Sequence, residues 1–174
     1  MGVILTVFNA VNLVLPFRGF FALRRWWLRC CGIHVGVKTR VASGARFYNS
    51  YISIGDEAWI GPEVSLYSNP SGRITIGHRV DCAPGVMLVT GSHYMETEYR
   101  RAGKGRTDDI EVGDGTWIGA RCVILGGATI GSGCIIAAGS VVIPGDYPDN
   151  VLLAGVPAQV KKTLPTETDE YVEE

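Results

Sequence analysis

The first 55 residues contain no Asp or Glu. Seven Arg and Lys lie there, whereas residues 56–174 hold nine bases and all seventeen acids, so the net charge of −1 divides into +7 and −8. Other absences narrow the class. Proline numbers only eight, and 47 % of the chain is hydrophobic, which excludes intrinsic disorder and a collagen-like chain. The five cysteines are odd in number and lack metal-type spacing, and no segment reads as a secretory signal with a cleavage site. A reduced, cytosolic chain is expected. The apolar run over residues 3–17 includes Asn9, Asn12 and Pro16 and falls short of the roughly 20 residues a spanning helix needs. What is abundant is glycine: 23 in 174 residues, about 13 % against a usual ~7 %. The length fits one domain with a sizeable core.

Helical periodicity is missing too. After residue 32 apolar residues do not recur at three and four, and Gly interrupts every candidate run. A period of six takes its place. Val112, Ile118, Ile124, Ile130, Ile136 and Val142 stand six apart without a break. Gly often follows (Gly113, Gly119, Gly131), and a small residue comes four places on: Thr116, Cys122, Ala128, Cys134 and Ser140, until Asp146 breaks the rule. The same frame runs earlier as Val35–Val41–Phe47, Ile54–Ile60–Leu66 and Ile76–Cys82–Leu88. A repeat of fixed period outranks local propensity in deciding a fold. Six residues supply one short strand and one corner, with the aliphatic side chain pointing inward and stacking on its equivalents in neighbouring coils. β-Branched side chains suit that surface, and Gly suits corners with positive φ or close backbone approach. Cys82 then takes an inward position and Cys122 and Cys134 small-residue positions, all three as buried hydrophobes.

This pattern resembles the hexapeptide-repeat family, which implies an all-β fold: a left-handed parallel β-helix of triangular section, three hexapeptides to a coil. About five coils are expected over residues 35–162. An apolar and basic, partly helical segment over 1–34 precedes them, and an acidic tail over 163–174 follows. Residues eighteen apart should stack, Val112 on Ile130, Ile118 on Ile136 and Ile124 on Val142.

Between Leu88 and Val112 the frame falls on Tyr94, Arg100 and Arg106, which cannot point into an apolar interior. Residues from about 94 to 109 are therefore predicted to be a loop extruded from a coil, and long loops on rigid scaffolds are usually functional. His93 stands at its root, in the run Thr90-Gly91-Ser92-His93, with Trp117-Ile118-Gly119 beyond the loop. Together these resemble the acetyltransferase branch that includes galactoside and maltose acetyltransferases and, closer still, polysaccharide and lipopolysaccharide O-acetyltransferases. The resemblance implies that His93 is a general base. A neutral imidazole takes a proton from a hydroxyl, and the oxygen attacks the thioester of acetyl-CoA directly, with no covalent enzyme intermediate. It also implies that Trp117 lines the acceptor pocket. Ser92 is expected to shape the corner or meet the oxyanion. Glu63 stands where galactoside acetyltransferases have a sugar-binding Asn. A carboxylate there accepts hydrogen bonds from sugar hydroxyls, holds His93 in its productive tautomer, or is simply solvated.

Ala137-Ala138-Gly139-Ser140 and Ala154-Gly155-Val156-Pro157-Ala158 resemble the family's coenzyme A groove, where the slender pantetheine runs close to the backbone. The contacts implied are Gly119, Ala120, Ala138, Ser140, Val156 and Pro157, with Lys162 for the phosphates; one usual Arg is Gln159 here. No metal is expected. A zinc site needs three converging His, and His34, His78 and His93 do not have that spacing.

The basic N-terminal segment has two readings. It caps the open end of the solenoid, as every repeat fold requires, or its basic, Trp-rich stretch also lies on anionic lipid. The activity implied is O-acetyl transfer from acetyl-CoA to a sugar hydroxyl in a surface polysaccharide, lipopolysaccharide or precursor. The enzyme implied is a homotrimer with sites between subunits, cytoplasmic or peripheral on the cytoplasmic face of the inner membrane, with no nucleic-acid partner. Two alternatives stand beside it: N-acetyl transfer to an amino sugar, and a non-catalytic β-helix assembly module.

Overall fold

The computed structural model describes residues 2–16 and 19–166. Residues 167–174, most of the expected acidic tail, lie outside the described residues. The repeat closes into a parallel β-helix with three faces. Face A stacks His34–Val35, Ile52–Ile54, Ile74–Ile76, Ile110–Val112, Ala128–Ile130 and Gly145–Tyr147. Face B stacks Arg40–Val41, Trp59–Ile60, Asp81–Cys82, Trp117–Ile118, Ile135–Ile136 and Val151–Gly155. Face C stacks Arg46–Tyr48, Ser65–Tyr67, Met87–Val89, Val123–Leu125 and Val141–Val142. The predicted stacking holds in register: Val112 pairs with Ile130, Ile118 with Ile136 and Ile124 with Val142.

Burial follows the six-residue frame. Each in-frame residue from Val35 to Leu88 and from Val112 to Val142 is buried, as are the small residues Thr116, Cys122, Ala128, Cys134 and Ser140. Stacked coils leave no side-chain space where backbones cross. A Cβ on Gly119 would lie 2.6 Å from the Ile136 oxygen and the Ala138 nitrogen, so this glycine is set by close approach. At the corner between faces B and C the chain turns instead through positive φ, in the column Gly44, Glu63, Gly85, Arg121 and Gly139.

The solenoid has about six coils, one more than the six-residue frame predicts. Tyr147 pairs with Ile130 and Leu153 with Ile136, a step of seventeen residues in place of eighteen. The lost residue and the aromatic hide this last coil from a search for regular aliphatics. Its end is closed by Ala158–Thr163, which folds back antiparallel on Val151–Gly155.

The extruded loop is not structureless, and it begins earlier than residue 94. Gly91–Met95 and Ala102–Thr107 form an antiparallel hairpin, with His93 opposite Gly105. Alternating Gly and charged residues in Ala102–Thr107 carry no strand pattern, so only the failure of the six-residue frame marks the place.

Two helices cover the first coil: α1 (Gly2–Val14) and α2 (Phe21–Cys30). Leu5, Phe8 and Leu28 are buried on it, with Phe8 edge-on to Trp27 at 5.7 Å and Phe47 at 5.9 Å. A polar bolt runs through the apolar contact. Asn12 Nδ2 donates to the Ala42 and Ala45 carbonyls at 3.1 and 2.9 Å. The fully buried Arg24 donates from Nε to Asn12 Oδ1 at 2.6 Å, and to the Gly19 and Pro16 carbonyls at 2.6 and 2.9 Å. Burial pushes the Arg24 pKa down. Oxygen acceptors around a buried guanidinium offset its lost hydration.

Candidate active site

The hairpin springs from the corner between faces C and A, just after Met87–Val89. Thr90, at its root, is buried, and its hydroxyl donates to the Tyr67 carbonyl at 3.0 Å. From this anchored base His93 projects into solvent with Nδ1 2.9 Å from the Gly103 carbonyl oxygen of the returning strand. A carbonyl only accepts, so Nδ1 donates this bond, and in the neutral imidazole Nε2 is then the nitrogen with the lone pair. The hairpin thereby holds the ring in the tautomer a general base needs. Gly103 was not among the predicted residues; its contribution is a backbone atom, which leaves no mark on side-chain identity.

Ser92 does not join His93. Neighbouring residues on a strand point to opposite faces, so the hydroxyl and the imidazole diverge, although Ser92 is solvent-exposed. Glu63 lies at a different corner, between faces B and C, in a left-handed conformation at φ 59°. Within the protomer the tautomer of His93 is set by Gly103 and not by Glu63.

The residues expected to meet coenzyme A gather at that B–C corner. Ile118 pairs with Ile136 and Ile136 with Leu153. Two residues on from each come Ala120, Ala138 and Gly155, a column of small residues climbing the last three coils. Ala138 is exposed, and among the described residues its N–H finds no acceptor. Val156 and Pro157 form the exposed tip of the final hairpin just beyond Gly155, joined by a cis peptide bond. Gly119 and Ser140 are buried within the column. The Ser140 hydroxyl accepts from the Gly155 N–H at 3.2 Å, so it holds the final hairpin and is not directed outward. Lys162 is exposed on the returning strand opposite Leu152. Trp117 presents a 53 % exposed indole on face B, three residues before Ala120 and above Asp81 in the same ladder.

Two clusters therefore stand on different corners. His93 rises at the C–A corner and the small-residue column at the B–C corner, with all of face C between them. Gly85 to Thr90 spans that face, about 17 Å at ~3.3 Å per residue. His93 and the column are thus a full face apart within one chain. Among the described residues no cluster of three or more metal-ligating side chains occurs.

Residues 109–144 match the family described as bacterial transferase hexapeptide (six repeats). The chain is 32 % identical over 132 residues to a galactoside O-acetyltransferase of Escherichia coli K12, covering 66 % of this chain and 64 % of that one. It is 30 % identical over 138 residues to the E. coli K12 protein WcaF, named as a colanic acid biosynthesis acetyltransferase, covering 79 % and 72 %. A hexapeptide-repeat acetyltransferase from Vibrio cholerae, solved with acetyl coenzyme A, superposes at a TM-score of 0.78 with 29 % identity, covering 95 % of this chain and 87 % of that one. The chain spans a little under two thirds of the first of these relatives.

Proposed function

Because the chain belongs to the hexapeptide-repeat acetyltransferase family, we propose that it transfers an acetyl group from acetyl-CoA to a sugar hydroxyl in a surface polysaccharide, a lipopolysaccharide or a precursor of either. The observation that carries this reading is the His93–Gly103 hydrogen bond on a solvent-facing hairpin. It leaves Nε2 free to take the proton of an incoming hydroxyl. The sugar oxygen then attacks the thioester carbonyl carbon. The tetrahedral adduct collapses with cleavage of the C–S bond, and the imidazolium returns its proton to the departing thiolate. The exposed Ala138 N–H is a donor of the kind that stabilises such an oxyanion or holds a pantetheine amide. The small-residue column suits a cofactor arm lying close to the backbone, with Val156 and Pro157 as its upper rim and Lys162 near its phosphates. In this reading Trp117 walls the acceptor side, and Glu63 accepts hydrogen bonds from sugar hydroxyls.

The active unit in this reading is a homotrimer, with His93 of one protomer facing the column of its neighbour. The separation of the two corners supports it, and so does the outward surface of the solenoid. Face A points Ser53, Thr75, Glu111 and Thr129 outward, whereas face C points Met87, Val89, Val123, Leu125 and Val141 outward, an apolar strip suited to a second copy. No described helix is long and apolar enough to cross a membrane. Work at the cytoplasmic face of the inner membrane is part of the proposal.

The test is acetyl-CoA turnover against a panel of sugars, nucleotide sugars and lipid-linked glycans, with wild type and His93→Asn. The variant is expected to lose about 10²–10⁴-fold in kcat while its thermal unfolding is unchanged. Near-normal turnover in His93→Asn would remove it as the base. Acetylation confined to amino groups would replace the reading with N-acetyl transfer. Absence of acetyl-CoA binding would leave a non-catalytic module.

A further inference from the structure

The outer surface of the N-terminal cap is the opposite of what a solvated helix pair presents. α1 buries Leu5, Phe8 and Asn12 against the first coil, and its other side is still apolar. Val3 is 78 % exposed, Ile4 48 %, Val7 46 % and Val14 80 %. Positions 3, 4, 7 and 14 fall on one side of a helix of 3.6 residues per turn. α2 repeats the arrangement. Arg24 and Leu28 face the solenoid, while Leu23 and Trp26 are exposed, Trp26 by 61 %, with Phe20 exposed just before the helix. α1 packs against face C of the first coil and α2 against faces A and B, and both leave these apolar side chains uncovered as the outer surface of the cap.

The charge on the two helices has one sign. α1 carries no charged residue, and α2 carries Arg24, Arg25 and Arg29. Arg25 donates to the Thr39 carbonyl and Arg29 to the Val35 carbonyl, which fixes both near the rim of the cap without neutralising them. Arg40 and Arg46 continue the rim on the first coil; the acids that reach this coil are Glu57, paired with Lys38 at 3.0 Å, and Asp56, which accepts from the Val37 N–H at 2.7 Å, and both belong to the second coil. Charge complementarity names the occupant.

We infer that the cap is an in-plane docking surface for an anionic lipid bilayer. Val3, Ile4, Val7, Val14, Leu23 and Trp26 enter the headgroup–acyl boundary, and the Arg rim meets lipid phosphates. The inference deepens the proposed location of the enzyme. Apolar burial and electrostatic attraction add in such helices, with each basic residue near the surface contributing about 1 kcal/mol. Side-by-side copies with parallel solenoid axes present their caps on one side, and multivalent contact strengthens weak single docking. This geometry turns the solenoid axis toward the membrane normal and puts the acetyl-transfer sites within reach of glycans still attached to lipid.

Flotation of the full chain with phosphatidylcholine vesicles, with and without phosphatidylglycerol, tests it in the absence of acetyl-CoA and acceptor. Failure here therefore leaves the acetyl-transfer reading untouched. The wild type is expected to float with phosphatidylglycerol vesicles, to be released by high salt and to ignore pure phosphatidylcholine. The exposed-residue variant Val3→Gln/Val7→Gln/Trp26→Gln is expected to reduce the bound fraction by about tenfold with an unchanged melting temperature and oligomeric mass. Failure of the wild type to bind anionic vesicles overturns the inference. So does undiminished binding by the triple variant. A triple variant that loses its oligomeric mass assigns this surface to subunit contact and also overturns it.

Discussion

Cys30 and Cys82 carry the same thiol in opposite surroundings. Cys82 is fully buried in the solenoid wall, and desolvation, with a lesser contribution from Asp81, pushes its pKa up to about 12. That leaves about a thousandfold less thiolate at neutral pH than an unburied cysteine has. Cys31, Cys122 and Cys134 are buried as well, each with its pKa raised chiefly by desolvation, whereas Cys30 is exposed. Iodoacetamide is therefore expected to label Cys30 alone in the native protein and all five cysteines after denaturation. Mass spectrometry of the tryptic peptides checks this, and rapid labelling of Cys82 would contradict its place in the wall. The buried roles of Cys82, Cys122 and Cys134 were legible from their places in the six-residue frame. The protonation pattern of His93 was not, because its cause is the Gly103 carbonyl, ten residues away and anonymous in the sequence. The Arg24–Asn12 contact was hidden for a related reason. An Arg in a basic, Trp-rich stretch looks solvated until the fold closes over it.

Among the elements, the hairpin of residues 91–107 and the cap of residues 2–30 differ in what they contribute to stability. Gly91–Met95 is exposed along its whole length, and the hairpin joins the solenoid near its root, through Thr90, Thr107, Asp108 and Asp109. Replacing residues 94–104 by a short glycine turn is expected to move the melting temperature by no more than about 2 °C, as for a surface loop. Turnover should fall about as far as in His93→Asn, because the Nδ1 acceptor is lost with the returning strand. Scanning calorimetry beside a turnover assay separates the two effects. A large loss of stability would show that the hairpin braces the coil. The sequence marked where this element leaves the solenoid but not what it becomes. Antiparallel pairing of a Gly-rich, charged strand depends on the partner strand brought beside it, and no local pattern records that.

At the scale of the whole molecule, His93 at the C–A corner and the small-residue column at the B–C corner lie a full face apart. The proposed reaction therefore requires them to meet across two protomers. Mixed assemblies of His93→Asn with Ala138→Trp, each inactive alone, are expected to regain activity when refolded together. In a random trimer some interfaces pair an intact His93 with an intact column, and recovery of about a quarter of wild-type activity is the order of magnitude such mixing allows. Native mass spectrometry of the same samples checks that mixed trimers formed. No recovery in mixed trimers would place both groups in one protomer.

The amino-acid sequence by itself determined the solenoid, because a β-helix is held by a local rule. Every sixth residue must be aliphatic and the corner residues small, and each coil needs only its neighbours. It also fixed the segregation of charge, since no acid precedes residue 56. The tertiary structure alone decided the sixth coil, the hairpin that brings the Gly103 carbonyl to His93, the separation of that histidine from the small-residue column, and the apolar side chains that the cap leaves uncovered. Each of these depends on contacts between residues far apart in the chain or on the face a helix leaves uncovered once it has docked. A six-residue pattern carries no record of either.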